Sequence, residues 1–171
     1  MSFEKAFNTL QTNTDQIWKN FDRYDGQTLN LSPAPGKWSA LQHLVHINKA
    51  ERSFVILLSK ALRSNQPLNG SPMKTIFRSF LFKAYLNFGV KLKSPKVIEP
   101  AIENFELMEL KKDFEKTRQQ LKQLFESVTP EQWPLFWVNH IYLKELRVKD
   151  LLEFMTFHQN HHFKLVKRYL R

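Results

Sequence analysis

With 171 residues, 42 % hydrophobic and 25 % charged, the chain has the length and mix of one globular domain (1–171) and is too short to suggest two. It has no cysteine, which excludes disulfide frameworks, Cys-rich zinc sites and thiol nucleophiles, so any metal must be held by His, Asp or Glu. The net charge of +10 suggests nucleic acid at first. However, nine Lys or Arg and no acidic residue stand between Arg52 and Ile98, leaving 17 of the 26 basic residues to face all 16 acidic ones elsewhere. The charge belongs to one segment, which argues against a nucleic-acid-binding fold. Four glycines are too few for a loop-rich all-β chain. Met-Ser-Phe-Glu-Lys does not read as a signal peptide, and no uncharged apolar run reaches the ~18 residues of a spanning helix, so a cytoplasmic location is expected.

The first element is a helix whose seam, Phe3, Phe7, Leu10, Thr14, Ile17, Phe21 and Tyr24, steps alternately by four and three until Asp25-Gly26 stops it. A linker, Ser32-Pro33-Ala34-Pro35-Gly36, follows. Ser39 and Gln42 form a capping-box pattern that starts a second helix running to about Leu62. Asn65-Gln66-Pro67 and Asn69-Gly70-Ser71-Pro72 break the chain. Met73 to Lys96 interleaves Phe77, Phe80, Phe82, Tyr85 and Phe88 with Lys74, Arg78, Lys83, Lys91 and Lys93, as one extra helix or two short ones. Its aromatics are expected to fill the core while its lysines sit in water.

The third long helix carries Leu107, Leu110, Phe114, Thr117, Leu121, Leu124 and Val128. Thr129-Pro130-Glu131-Gln132 predicts one further helical turn. The last helix begins near Val148 with an inward seam of Leu151, Met155, His158, His162, Leu165 and Tyr169. No segment predicts a strand. The fold class is all-α: a four-helix bundle with an extra basic-aromatic helical segment between its second and third long helices.

His158 and His162 are four apart and share one helix face, which is the core-facing one. Two imidazoles pointing into a core must be hydrogen-bonded or ligate something. Gln159 stands where His-Glu-x-x-His has its general base, so a zinc-protease reading fails. His43 and His46 make a second pair on the second helix and offer a third ligand; spacing alone leaves open which of the two it is.

Pro35-Gly36-Lys37-Trp38-Ser39, with His46 eight residues after the Trp, resembles the second-helix motif of the DinB/YfiT-like superfamily. The stretch from His158 through His161 and His162 to Lys164 resembles that family's His-x-x-His-His motif, and the helix order matches over essentially the whole chain. The resemblance implies a divalent metal, zinc or nickel, held by His46, His158 and His162, and a homodimer. His43 then falls at a non-ligand position. His140-Ile141-Tyr142-Leu143-Lys144 departs from the family's His-Pro-x-x-Gly turn by lacking the Pro and the Gly.

Three neutral histidines leave a metal coordination position open, as in catalytic sites. A bound water or a small-molecule thiol could serve as nucleophile there. The resemblance, which extends to thiol-dependent S-transferases, favours a metal-dependent S-transferase over a hydrolase, acting on a small molecule. Glu51 lies about 140° around the helix from His46, too far to assist it directly. Asn48, Gln42 and Gln159 could support the metal ligands from behind but are expected on a solvated surface, and Trp38 in the core at the start of the second helix. The competing reading is a non-enzymatic binding protein, which uses segment 73–96 on an anionic membrane or on nucleic acid. That segment could also cap the metal pocket and draw in an acidic substrate.

Overall fold

Alternating three- and four-residue apolar steps become helices in the computed structural model, which describes residues 3–63, 71–87, 93–129 and 137–170. The long bundle helices are α1 (Phe3–Phe21), α3 (Ala40–Arg63), α5 (Leu107–Glu126) and α6 (Val148–Lys167). The fold is therefore a four-helix bundle, as expected. α1 packs on α6, α6 on α3, and α3 on α5.

Asp25-Gly26 does more than stop α1. The Asp25 carboxylate accepts a 2.7 Å hydrogen bond from the Thr28 amide and so caps a short helix, α2 (Gly26–Asn30). Ser39 and Gln42 form the predicted capping box: the Gln42 amide donates to Ser39 Oγ at 3.2 Å, and the Ser39 amide to Gln42 Oε1 at 2.9 Å. This box fixes where α3 begins, and so the height at which His43 and His46 enter the bundle.

The basic-aromatic segment forms, in its described part, one helix, α4 (Pro72–Asn87), which lies against the sheet strand 144–147 outside the bundle. A 3-10 turn, Lys96–Ile98, follows. Of the α4 aromatics with described side chains, Phe82 packs inward on the core, but Phe77 and Phe80 are 63 % and 67 % exposed. The expectation that these rings fill the core is thus wrong. α4 meets the protein along the side that carries Thr75, Arg78 and Phe82, which leaves Phe77 and Phe80 facing away; Phe88 lies outside the described residues.

The absence of strands is also corrected. Trp137–His140 (β1) and Lys144–Arg147 (β2) pair antiparallel, Trp137 opposite Arg147 and His140 opposite Lys144. Four-residue strands are too short for their alternation to stand out in sequence. The hairpin turn is the departure at Ile141 and Lys144: Lys144 adopts φ 58°, a left-handed conformation that glycine takes without strain. The predicted turn at Pro130-Glu131-Gln132 and the break at Asn65-Gln66-Pro67 lie outside the described residues.

The apolar core falls into two clusters. One gathers Leu10, Phe54, Leu58 and Leu121 with the hairpin and the start of α6, including Met155. The other gathers Ile17, Phe21, Leu41, Leu44, Phe114 and Val166. Residues between these positions on all four helices are polar and buried: Asn13 and Thr14 on α1, Asn48 and Glu51 on α3, Thr117 and Arg118 on α5, and Gln159 on α6. The bundle is two oily halves joined through a polar layer.

Candidate metal centre

α3 and α6 are neighbours, and their facing histidines meet. His46 Nε2 lies 3.2 Å from His158 Nε2, which lies 3.0 Å from His162 Nε2. Each of the three offers a ligand atom within 4.8 Å of the other two. Tetrahedral coordination at about 2.0–2.1 Å sets nitrogens roughly 3.3 Å apart, so the spacing suits a metal such as zinc.

The outer nitrogens decide which way the lone pairs point. His46 Nδ1 lies 3.0 Å from the Ile98 carbonyl, which can only accept. That nitrogen therefore carries the proton, and Nε2 turns its lone pair toward the cluster. His162 Nδ1 meets His43 Nδ1 at 2.9 Å. Donation from His162 to His43 leaves His162 Nε2 equally bare. His158 stacks on Phe154 with ring centroids 5.8 Å apart and planes 9° from parallel. Carbonyl or imidazole support behind a ligating histidine is the usual means of fixing its tautomer.

Burial keeps these rings neutral. It pushes His43 down to about 3, with His46 adding to the effect, and His46 down to about 4 against the opposing hydrogen bond to Ile98. Desolvation, then the neighbouring histidines, holds His158 and His162 well below the ordinary imidazole value. Neutral imidazole is the ligating form. With the His46 proton fixed outward, a proton on His158 Nε2 would have to be shared between two facing lone pairs, whereas a cation satisfies all three together.

The surroundings are ordered by a strap, residues 93–101, that runs along α3. Lys49 Nζ donates to the Glu99 carbonyl at 2.7 Å, Gln42 Nε2 to the Ala101 carbonyl at 3.0 Å, and the Tyr142 hydroxyl to the Lys93 carbonyl. Trp38 is half-buried, and its ring sits 4.9 Å from that of His46 and 5.4 Å from that of His43. It walls the cluster, a use its position at the helix start did not reveal. His161 is half-buried, edge-on to His162 and outside the triad.

His140 Nδ1 accepts from the Tyr142 and Leu143 amides at 3.2 and 3.1 Å and so holds the hairpin turn. Its ring lies between Phe54 and Phe154, and Phe154 in turn stacks on His158. Sequence reasoning noticed His140 but gave it no role. The available signal was its place at the head of the segment that keeps the His but lacks the Pro and the Gly of the family's turn.

Asn48 and Gln159, expected on a solvated surface, are 4 % and 0 % exposed. Gln159 Nε2 donates to Glu51 Oε1 at 2.9 Å and to Thr14 Oγ1 at 3.0 Å, and its carbonyl oxygen accepts from Asn13 at 2.7 Å. Arg118 also bonds Glu51 Oε1 and Thr14 Oγ1, at 2.9 and 3.1 Å. The expectation failed because each helix buries a polar residue at the same height, and no single helix shows that in its sequence. Glu51 faces Arg118, consistent with its angular distance from His46.

Comparison with known proteins agrees with the fold. The protein YuaE of Bacillus subtilis (strain 168), itself uncharacterized, is 24 % identical over 152 residues, covering 89 % of each chain. The solved structure of YfiT from Bacillus subtilis, described as a probable metal-dependent hydrolase with an unusual four-helix bundle topology, superposes with a TM-score of 0.64. That match has 14 % identity and covers 98 % of this chain and 87 % of YfiT, so it speaks to the fold. The DinB superfamily model matches residues 6–166, nearly the full length, and the chain therefore belongs to the DinB superfamily.

Proposed function

We propose that the chain is a metal-dependent enzyme, with His46, His158 and His162 holding one divalent cation, zinc or nickel, and that it hydrolyses a small molecule. The observation that carries this reading is the convergence of three Nε2 atoms while Ile98 holds the His46 proton outward. When bound, such a cation supplies Lewis acidity at an open position, lowering the pKa of a coordinated water to about 7. The protein's own part is orientation and shelter. Ile98 fixes His46, His43 steadies His162, and Trp38 and Phe154 supply apolar walls. The description of YfiT supports hydrolysis. Thiol transfer would use the same open position with a different nucleophile.

The test loads the purified protein with zinc or nickel, measures metal per chain, and assays ester and amide hydrolysis beside conjugation of glutathione or bacillithiol. Wild type is expected to hold about one metal per chain and His162→Ala far less, because one of three ligands is gone. Conjugation without hydrolysis would move the reaction to thiol transfer. A wild type that takes up no metal and behaves like His162→Ala would sink the reading. Homodimerisation belongs to the same proposal and is measured by sedimentation.

A further inference from the structure

Helix α4 shows solvent an apolar face. Met73 is 81 % exposed, Ile76 59 %, and Phe77 and Phe80 nearly two-thirds; Leu81 is exposed as well. At about 100° per residue these five side chains fall within an arc of roughly 140°. Lys74 and Lys83 lie about 20° outside either edge. The opposite side is committed to the protein. Thr75 hydrogen-bonds the Glu145 carbonyl at 2.9 Å, Phe82 packs 5.5 Å from Phe154, and Arg78 pairs with Glu145 at 2.9 Å. The helix is thus pinned along its back with its greasy side outward, the reverse of an ordinary surface helix.

We propose that α4 docks on an anionic lipid surface, with Met73, Ile76, Phe77, Phe80 and Leu81 inserted and Lys74 and Lys83 at headgroup level. The pattern of apolar face and flanking lysines is that of a helix lying in the membrane interface. Charge selects the occupant. No acidic residue occurs between Arg52 and Ile98, and Glu145, which contacts α4, is already bound by Arg78. Two copies meeting face to face on α4 would press lysine against lysine with no α4 carboxylate to offset them. Single-stranded nucleic acid would stack on the phenylalanines but has no use for Met73, Ile76 and Leu81. Among the described residues no helix is long and apolar enough to cross a membrane, so the contact is peripheral. It is independent of the metal reading.

Vesicle flotation of the full-length protein tests this, with mixed phosphatidylcholine–phosphatidylglycerol vesicles against pure phosphatidylcholine. Wild type is expected to float with the mixed vesicles and to be released by salt. Phe77→Ser/Phe80→Ser should cut partitioning about tenfold or more, since two large apolar groups no longer insert. Lys74→Gln and Lys83→Gln should each cost roughly fivefold on anionic vesicles alone. Phe77, Phe80 and Lys74 are exposed, and half-buried Lys83 holds its ammonium 5.7 Å over the Phe157 ring, a weak contact at the edge of α4, so melting temperature should stay within a few degrees of wild type and metal content should not change. Wild type left unbound by mixed vesicles at low salt would overturn the proposal, as would the double Phe variant floating like wild type. Self-association or oligonucleotide binding that needs Phe77 and Phe80, without vesicle binding, would overturn it in favour of those partners.

Discussion

α6 contributes to two buried polar sets that solve the same problem differently. Gln159 faces the layer of Glu51, Arg118, Thr14 and Asn13, where an acid meets a base and amides meet hydroxyls. One residue earlier and three later, His158 and His162 face His46, where like meets like. The first set is largely closed by its own chemistry, although Glu51 Oε2, Arg118 Nε and Arg118 Nη1 have no protein partner among the described residues. The second has an excess of lone pairs aimed at one point. Burial alone marks neither set as functional; what marks the histidines is that two facing lone pairs would have to share a single proton on His158 Nε2. A buried polar group whose partners are complementary holds the fold together, and one whose partners are identical calls for something from outside.

The largest effect should come from breaking the complementary set. Glu51→Ala leaves Arg118 charged and uncompensated in the core and should destabilise by about 3–5 kcal/mol in urea unfolding, whether or not metal is present. If Arg118 relaxed to solvent the loss would be far smaller, and the layer would not be a structural unit.

Acid sharpens the contrast from the other side. His140 is held at about 4 by burial, against an ordinary value of 6.5. The unfolded chain therefore takes the proton first, so stability is full above the ordinary value and is lost as pH falls toward the folded one. Between about pH 7 and pH 5 the metal-free protein should lose roughly 2 kcal/mol through this residue, and His140→Asn should make the profile shallower by that amount while the buried His43, His46, His158 and His162 keep the rest of the slope. The polar layer, whose Glu51 carboxyl is pushed up by burial against the pull of Arg118, adds no histidine to the effect.

His43→Ala probes the support behind the identical set. Removing the partner of His162 Nδ1 should weaken metal affinity about 10- to 100-fold, measured by competition with a chelator. Unchanged affinity would mean that His43 is only packing. The smallest effect should lie outside both regions: Lys144→Gly relieves the left-handed backbone at φ 58° and should raise stability by up to about 1 kcal/mol, with metal binding untouched.

How much of this was legible in sequence follows the same division. His158 and His162 announce themselves, because a four-residue step on a core-facing seam is a local fact. The choice of His46 over His43 rested on the resemblance and the distance from Trp38. The structure brings His46 Nε2 into the cluster and sets His43 behind His162. The helices were visible because their periodicity is long, and the hairpin was not because four residues carry too little alternation. The polar layer was invisible for a different reason. Asn13, Glu51, Arg118 and Gln159 sit on four separate helices, and each alone looks like an ordinary solvated residue. α4 misled because its rings suggested a core, and only its position outside the bundle shows which of them face water.

The hydrogen bond from His46 Nδ1 to Ile98 also ties the tautomer of His46 to a distant part of the chain. The two partners are 52 residues apart, with α4 between them in the chain. Until the strap has settled along α3, the His46 ring is free to present either nitrogen, and a cation arriving early finds a ligand without a defined tautomer. A chain cut within the strap should therefore keep its three histidines yet hold a cation less tightly than the intact chain, because the His46 tautomer is no longer fixed.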